Sequence, residues 1–207
     1  MKRIVPHLIG YTLVAGCFFW GGALTRDYLV TREARLARGR YAKFLNQAAP
    51  SLASRTVKGT QWELREQRGK VVVIEAWATW CGPCIASLPA IKRLYERFGQ
   101  RSDFALVGVS LDKEAEAVEQ FCRSRGVSWT QLIEPGKEFE SSIARALEMK
   151  EIPFTCIVDK RGIVRAYRSV SGDMEPFIQR LLEEPNKAPE PTPTAVTSPA
   201  AQEPRQP

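Results

Sequence analysis

Apolar positions fall along this chain in blocks of two kinds, and the kinds alternate. Val71 to Trp77 is a continuous apolar, largely β-branched run broken only by Glu75, the pattern of a strand buried on both faces. Ile85 to Phe98 then places Leu88, Ile91, Leu94, Tyr95 and Phe98 at helical spacing. Phe104 to Leu111 reads as a second buried strand, and Glu114 to Arg125 as a helix stopped at Gly126. Ser128 to Ile133 predicts a short strand, and Phe139 to Met149 a further helix. Phe154 to Val158 and Ile163 to Tyr167 predict strands joined by a turn at Lys160-Arg161-Gly162, and Met174 to Leu182 the last helix. Ahead of these, Ser51 to Lys70 predicts a hairpin turning at Lys58-Gly59, where Trp62 and Leu64 alternate with polar residues. The order predicts an α/β fold: a central mixed sheet flanked by helices, with an N-terminal hairpin extension.

The two ends follow other patterns. After Met1-Lys2-Arg3, residues 8–24 are mostly apolar and carry no charge, about the minimum length for a membrane span. Residues 1–24 therefore read as a signal anchor or a lipoprotein signal. Val14-Ala15-Gly16-Cys17 resembles a bacterial lipobox, which makes Cys17 a candidate for lipidation; the apolar Phe18-Phe19-Trp20 that follows suits an uncleaved anchor. Either way the chain is expected to be membrane-tethered. Residues 25–48 form a basic, helix-prone stalk, residues 49–184 the globular domain, and residues 185–207 a disordered tail that holds seven of the fourteen prolines. Lys2 and Arg3 favour a cytoplasmic N-terminus, whereas Arg26, Arg32, Arg35, Arg38, Arg40 and Lys43 pull the other side inward.

The net charge of +7 does not point to nucleic acid, because the basic residues cluster after the apolar stretch and form no stripe interleaved with aromatics. Of the five cysteines, Cys17, Cys81, Cys84, Cys122 and Cys156, only Cys81 and Cys84 stand close together. The chain is long enough to bury a core without disulfide staples. The only histidine is His7 and there is no second CxxC, so no zinc set assembles; residue 85 is Ile, so no c-type haem motif is present. No metal or other cofactor is called for, and the pair points to redox chemistry. Cys122, on a helix, reads as an ordinary partly buried residue, and Cys156 as a core thiol.

Trp80-Cys81-Gly82-Pro83-Cys84 stands where a buried strand gives way to a helix. Unpaired N–H groups and the positive end of the helix dipole at that position lower the pKa of the first cysteine. Two residues between the cysteines let the sulfurs meet within one turn, Gly82 permits close approach, and Pro83 fits the first turn. Cys81, expected to be exposed, attacks a substrate disulfide. Cys84, expected to be shielded, then resolves the mixed disulfide. Glu75 is the candidate proton acceptor, since a carboxylate inside a buried strand is costly unless paired or functional. Trp80 shields the thiols and offers a contact surface. A disulfide-forming oxidase or isomerase would use the same pair, and a Cu(I)-binding thiol carrier is a further alternative. A peroxiredoxin-like reading lacks its Pro-Thr-Cys pattern.

The stretch from Arg68 through Cys84 resembles the thioredoxin superfamily, specifically its membrane-tethered TlpA/ResA-like branch. The resemblance continues through Leu88-Pro89, Val107 to Asp112 and Ile152-Pro153-Phe154-Thr155, and covers roughly residues 49–183. It implies a thioredoxin-like fold and reduction of protein disulfides on the outer, periplasmic side of the cytoplasmic membrane, often in cytochrome c maturation. It implies electrons from a membrane thiol-relay protein. It also implies a cis peptide bond before Pro153, placing Ile152 and Pro153 beside the redox pair, where Ile152's backbone would pair with substrate. Many relatives carry Glu three residues after the second cysteine; Ser87 stands there in this chain.

Overall fold

The computed structural model describes residues 43–168 and 174–185. The chain divides after Gln47, and the described residues from Ala48 on form one compact unit. The predicted membrane segment, most of the basic stalk and nearly all of the Pro-rich tail lie outside the described residues, as does Cys17.

The sheet has the order β2-β1-β5-β4-β3-β6-β7 among the described residues. β1 (Ala53–Thr56) and β2 (Gln61–Glu63) are the predicted hairpin, with Gly59 at positive φ in its turn. A 3-10 turn, Leu64–Gln67, leads to β3 (Val71–Trp77), whose seven residues are all buried. β3 runs parallel to β4 (Phe104–Ser110), which runs parallel to β5 (Thr130–Ile133). On its other side β3 pairs antiparallel with β6 (Phe154–Val158), and β6 with β7 (Val164–Arg168). The hairpin joins the sheet through an antiparallel β1–β5 pairing. This is a mixed sheet with the hairpin extending one side, as the periodicity predicts.

Alternation along β3 sends Val71, Val73, Glu75 and Trp77 to one face. There Val71 and Val73 pack with Ile91, Leu94 and Phe98 of α1 (Gly82–Phe98) and with Ile178, Leu181 and Leu182 of α4 (Glu175–Glu183). Burying one such Leu or Ile stabilises the fold by about 1.5–3 kcal/mol, and this cluster is what seats α1 on the sheet. α2 (Ala115–Arg125) ends at Gly126 in the left-handed conformation, as expected of a glycine stop.

Two elements depart from the expected pattern. α1 starts at Gly82 and not at Ile85, because Cys81 is its N-cap and Pro83 sits in the first turn. The helix expected over Phe139 to Met149 is a 3-10 turn, Glu138–Glu140, followed by the short α3, Ser142–Ala146. The break falls at Ser141, whose backbone is extended and whose Oγ accepts the Ala144 N–H at 3.3 Å to start a new helix. Glu148, at φ 46°, closes that segment.

Candidate active site

The site is built at the C-terminal end of β3. Residues Ala78–Trp80 form the connection to α1, closed by a 3.1 Å hydrogen bond from the Cys81 N–H to the Ala78 carbonyl. Cys81 and Cys84 are joined as a disulfide with S–S 2.04 Å and Cα–Cα 5.2 Å. The Cys84 N–H points at Cys81 Sγ, 3.2 Å away. In the reduced protein, that orphan N–H of the first helical turn would favour a thiolate on Cys81 over a thiol.

The expected difference in exposure between the two cysteines is corrected here: Cys81 is 5% exposed and Cys84 3%, so both are recessed. Carrying Cys81 as the cap of α1 tucks its sulfur against the first turn. What the surface presents around the pair is Trp80, 58% exposed, together with exposed Gly82 and Pro83. Ile152 and Pro153 are half-buried, and the bond between them is cis. The β3–β6 register pairs Ala76 with Phe154, which places Pro153 at the same end of the sheet as the redox pair.

Glu75 is 4% exposed, and burial pushes its carboxyl up to about 8. It shares one small cavity with Cys84, bordered also by Trp77, Leu88, Phe121 and Trp129. Thus the sequence-predicted acid does come beneath the second cysteine. In the sheet it stands in a row with neutral neighbours: Thr155 on β6, Gly108 on β4 and, beyond Gly108, Gln131 on β5. Gln131 lies over the glycine and accepts the Trp77 Nε1–H at 2.9 Å through its Oε1.

Asp112 is a site residue that the sequence reading passed over. Buried at 4% exposure, its carboxylate accepts the Thr79 N–H at 3.0 Å, the Thr79 hydroxyl at 2.6 Å and the Ser110 hydroxyl at 2.8 Å. It thereby ties the connection carrying Trp80 and Cys81 to the end of β4. An acid two residues past a buried strand, matched to a Thr two before the cysteine, was the available signal. Ser87 donates its hydroxyl to the Cys84 carbonyl at 2.8 Å and takes no part in the cavity. Cys122 and Cys156 are free and buried, with thiols pushed up by burial to about 11 and about 12. Cys156 pairs with Ile74 in the sheet and so faces away from Glu75. Among the described residues no cluster of His, Cys, Asp and Glu could hold a metal ion.

A dithiol at a helix N-terminus, on a mixed sheet of this order, defines a thioredoxin-fold oxidoreductase. The profile of the AhpC/TSA family matches residues 45–167. The chain is 28% identical over 122 residues to the thioredoxin-like protein YneN of Bacillus subtilis (strain 168), covering 58% of this chain and 68% of that one. It is 26% identical over 140 residues to the thiol-disulfide oxidoreductase ResA of Geobacillus kaustophilus (strain HTA426), covering 67% and 76%. A solved thiol-disulfide oxidoreductase from Bacteroides fragilis NCTC 9343 superposes with TM-score 0.60 at 24% identity, covering 66% of this chain and all of that one. A thiol:disulfide interchange protein from Bacteroides sp. gives 0.59 at 20% identity, covering 68% and 91%, and likewise shares the fold. The chain belongs to the AhpC/TSA family, in its TlpA/ResA-like branch, and is a thiol–disulfide oxidoreductase.

Proposed function

We propose that this oxidoreductase works in the reducing direction, tethered by residues 1–24 to the cytoplasmic membrane with residues 49–184 in the periplasm. Residues 25–48 act as the stalk between the two. The observation that carries the chemistry is the shared cavity: a buried carboxyl and the second cysteine meet beneath a disulfide that caps a helix. The Cys81 thiolate attacks a substrate disulfide, forming a Cys81–substrate bond and expelling the other substrate sulfur as thiolate. Cys84 gives its proton to Glu75 and attacks Cys81 Sγ. The Cys81–Cys84 disulfide forms and the second substrate sulfur leaves reduced, so two electrons pass to the substrate. A membrane thiol-relay protein supplies the two electrons that restore the dithiol, and cytochrome c maturation is the assembly such a reductant would serve.

Trp80, Gly82 and Pro83 form the docking surface, and Ile152 and Pro153 border it. The recessed pair supports that assignment, because Trp80, Gly82 and Pro83 are what the surface presents around it. The test is the reduction potential of the full-length protein, set by equilibration with glutathione or dithiothreitol. A value near the thioredoxin range, about −270 mV, is expected for a reductant. A value near about −120 mV would mean a disulfide donor and would reverse the direction proposed here.

A further inference from the structure

The exposed Trp80 indole has no hydrogen bond or ring contact among the described residues, so its place on the surface depends largely on the backbone that carries it. That backbone is the connection Ala78–Trp80, and it is held twice. The Cys81 N–H closes it onto the Ala78 carbonyl at 3.1 Å. Within it, Thr79 is fastened to the Asp112 carboxylate by its N–H at 3.0 Å and its hydroxyl at 2.6 Å. Asp112 is in turn locked to the end of β4. It accepts the Ser110 hydroxyl at 2.8 Å, and its own N–H donates to that Oγ at 3.0 Å. A buried carboxylate is costly unless its oxygens are satisfied. Among the described residues no cation pairs with Asp112, and its oxygens are satisfied by Thr79 and Ser110. The Trp77 indole, at the same end of the sheet, donates to Gln131 instead. The carboxylate is thus directed at the turn just before Cys81.

We propose that Thr79 and Asp112 are positioning residues for Trp80, a clamp that fixes the indole before docking so that a protein-borne disulfide meets an ordered surface. This rests on Trp80 belonging to the docking surface. The physical basis is preorganisation. A mobile connection must be ordered when the partner arrives, and that loss of freedom subtracts from affinity. A connection already fastened to the end of β4 has little freedom left to lose. The clamp therefore sets how tightly the partner is held, and the exchange between sulfurs is left to Cys81, Cys84 and Glu75. The hydroxyl bond is the part that one substitution removes cleanly. Thr79→Val keeps the branched shape and the N–H bond to Asp112, and deletes only the side-chain donor.

Full-length protein, reduced beforehand, is mixed with excess insulin at rising concentration, and oxidation of the dithiol is followed as loss of thiol labelling at Cys81 and Cys84. Each event oxidises one dithiol to the disulfide and reduces one insulin disulfide to two thiols. The half-saturating insulin concentration reports docking, and the limiting rate reports exchange. In Thr79→Val the half-saturating concentration is expected to rise about five- to tenfold, with the limiting rate within about twofold of wild type. Thr79→Ser, which restores the hydroxyl, is expected to recover the wild-type value. Trp80→Ala is expected to raise the same concentration, and Thr79→Val added to it to have no further effect, because no indole remains to be positioned. If the two losses multiply, or if Thr79→Val lowers the limiting rate and leaves half-saturation alone, the clamp does not act through Trp80 and the proposal is overturned. A fall in thermal stability with both kinetic values unchanged marks a purely structural bond and also ends it. If Trp80→Ala itself leaves half-saturation at the wild-type value, the docking surface is misassigned and the clamp's role falls with it. Should Thr79→Val not fold, Thr79→Ala, which deletes the same hydroxyl, takes its place in the comparison.

Discussion

Glu75 carries a stability cost as well as a chemical role. Its carboxyl is pushed by burial from an ordinary value of 4.5 to about 8 in the folded chain. Between those two values the unfolded chain has lost the proton while the folded chain keeps it. The folded state then binds more protons, so stability falls as pH rises through that window. Below pH 4.5 both forms are protonated and the cost vanishes; above 8 both are ionised and it is complete. Glu75→Gln should therefore match wild type near pH 4 and exceed it by on the order of a few kcal/mol near pH 9, in the disulfide form. Calorimetric Tm measured against pH checks this, and parallel curves for the two proteins across pH 5–9 would rule out the buried, raised carboxyl. Glu75 was legible in the sequence because an acid inside an apolar strand is itself an anomaly. Cys81 and Cys84 were legible from spacing and from their place between strand and helix. Asp112, Gln131 and Trp129 were not, because each acquires its meaning from a neighbour on another strand or loop.

Strand β4 shows how one missing side chain organises its neighbours. Gly108 stands between Glu75 and Gln131 across the sheet, and a Cβ on it would lie 2.1 Å from Gln131 Oε1 and 2.8 Å from its Nε2. The glycine is required by close approach, not by its backbone angles. Gly108→Ala should displace the Gln131 amide, break its bond to Trp77 and cost about 1–3 kcal/mol. Shortening the displaced side chain should relieve the clash, so Gly108→Ala with Gln131→Ala should lose less than the two single losses combined. Denaturant unfolding of the four proteins checks it, and strict additivity would mean that the contact is not what makes Gly108 necessary. The central strands β3, β4 and β6 were readable because their apolar runs are too short for a helix and rich in β-branched or aromatic residues. The segment after β5 was not: its apolar residues have helical spacing, yet the extended backbone and cap at Ser141 divide it into two short pieces. Periodicity registers which face is buried, and a local serine cap can reset a helix without disturbing that face.

For the molecule as a whole, direction of electron flow and location are coupled. No helix among the described residues is long and apolar enough to cross a membrane, and the proposed tether is the apolar stretch 8–24. The basic residues on either side oppose one another: Lys2 and Arg3 act for an inside N-terminus, and the six between Arg26 and Lys43 act against it. A reducing dithiol placed outside needs a feed of electrons across the membrane, whereas inside it would draw on the cytosolic thiol pool directly. The full chain is expected to sediment with membranes, and the chain lacking residues 1–24 to remain in the supernatant. A reporter that is active only in the periplasm, fused after Pro207, is expected to be active. Activity means that the first apolar segment outweighs the basic stalk, and that the dithiol depends on a membrane relay. Silence from a stable, membrane-bound fusion means the stalk's positive charge has won. The Cys81–Cys84 pair then faces the cytosol, and the relay partner is no longer required.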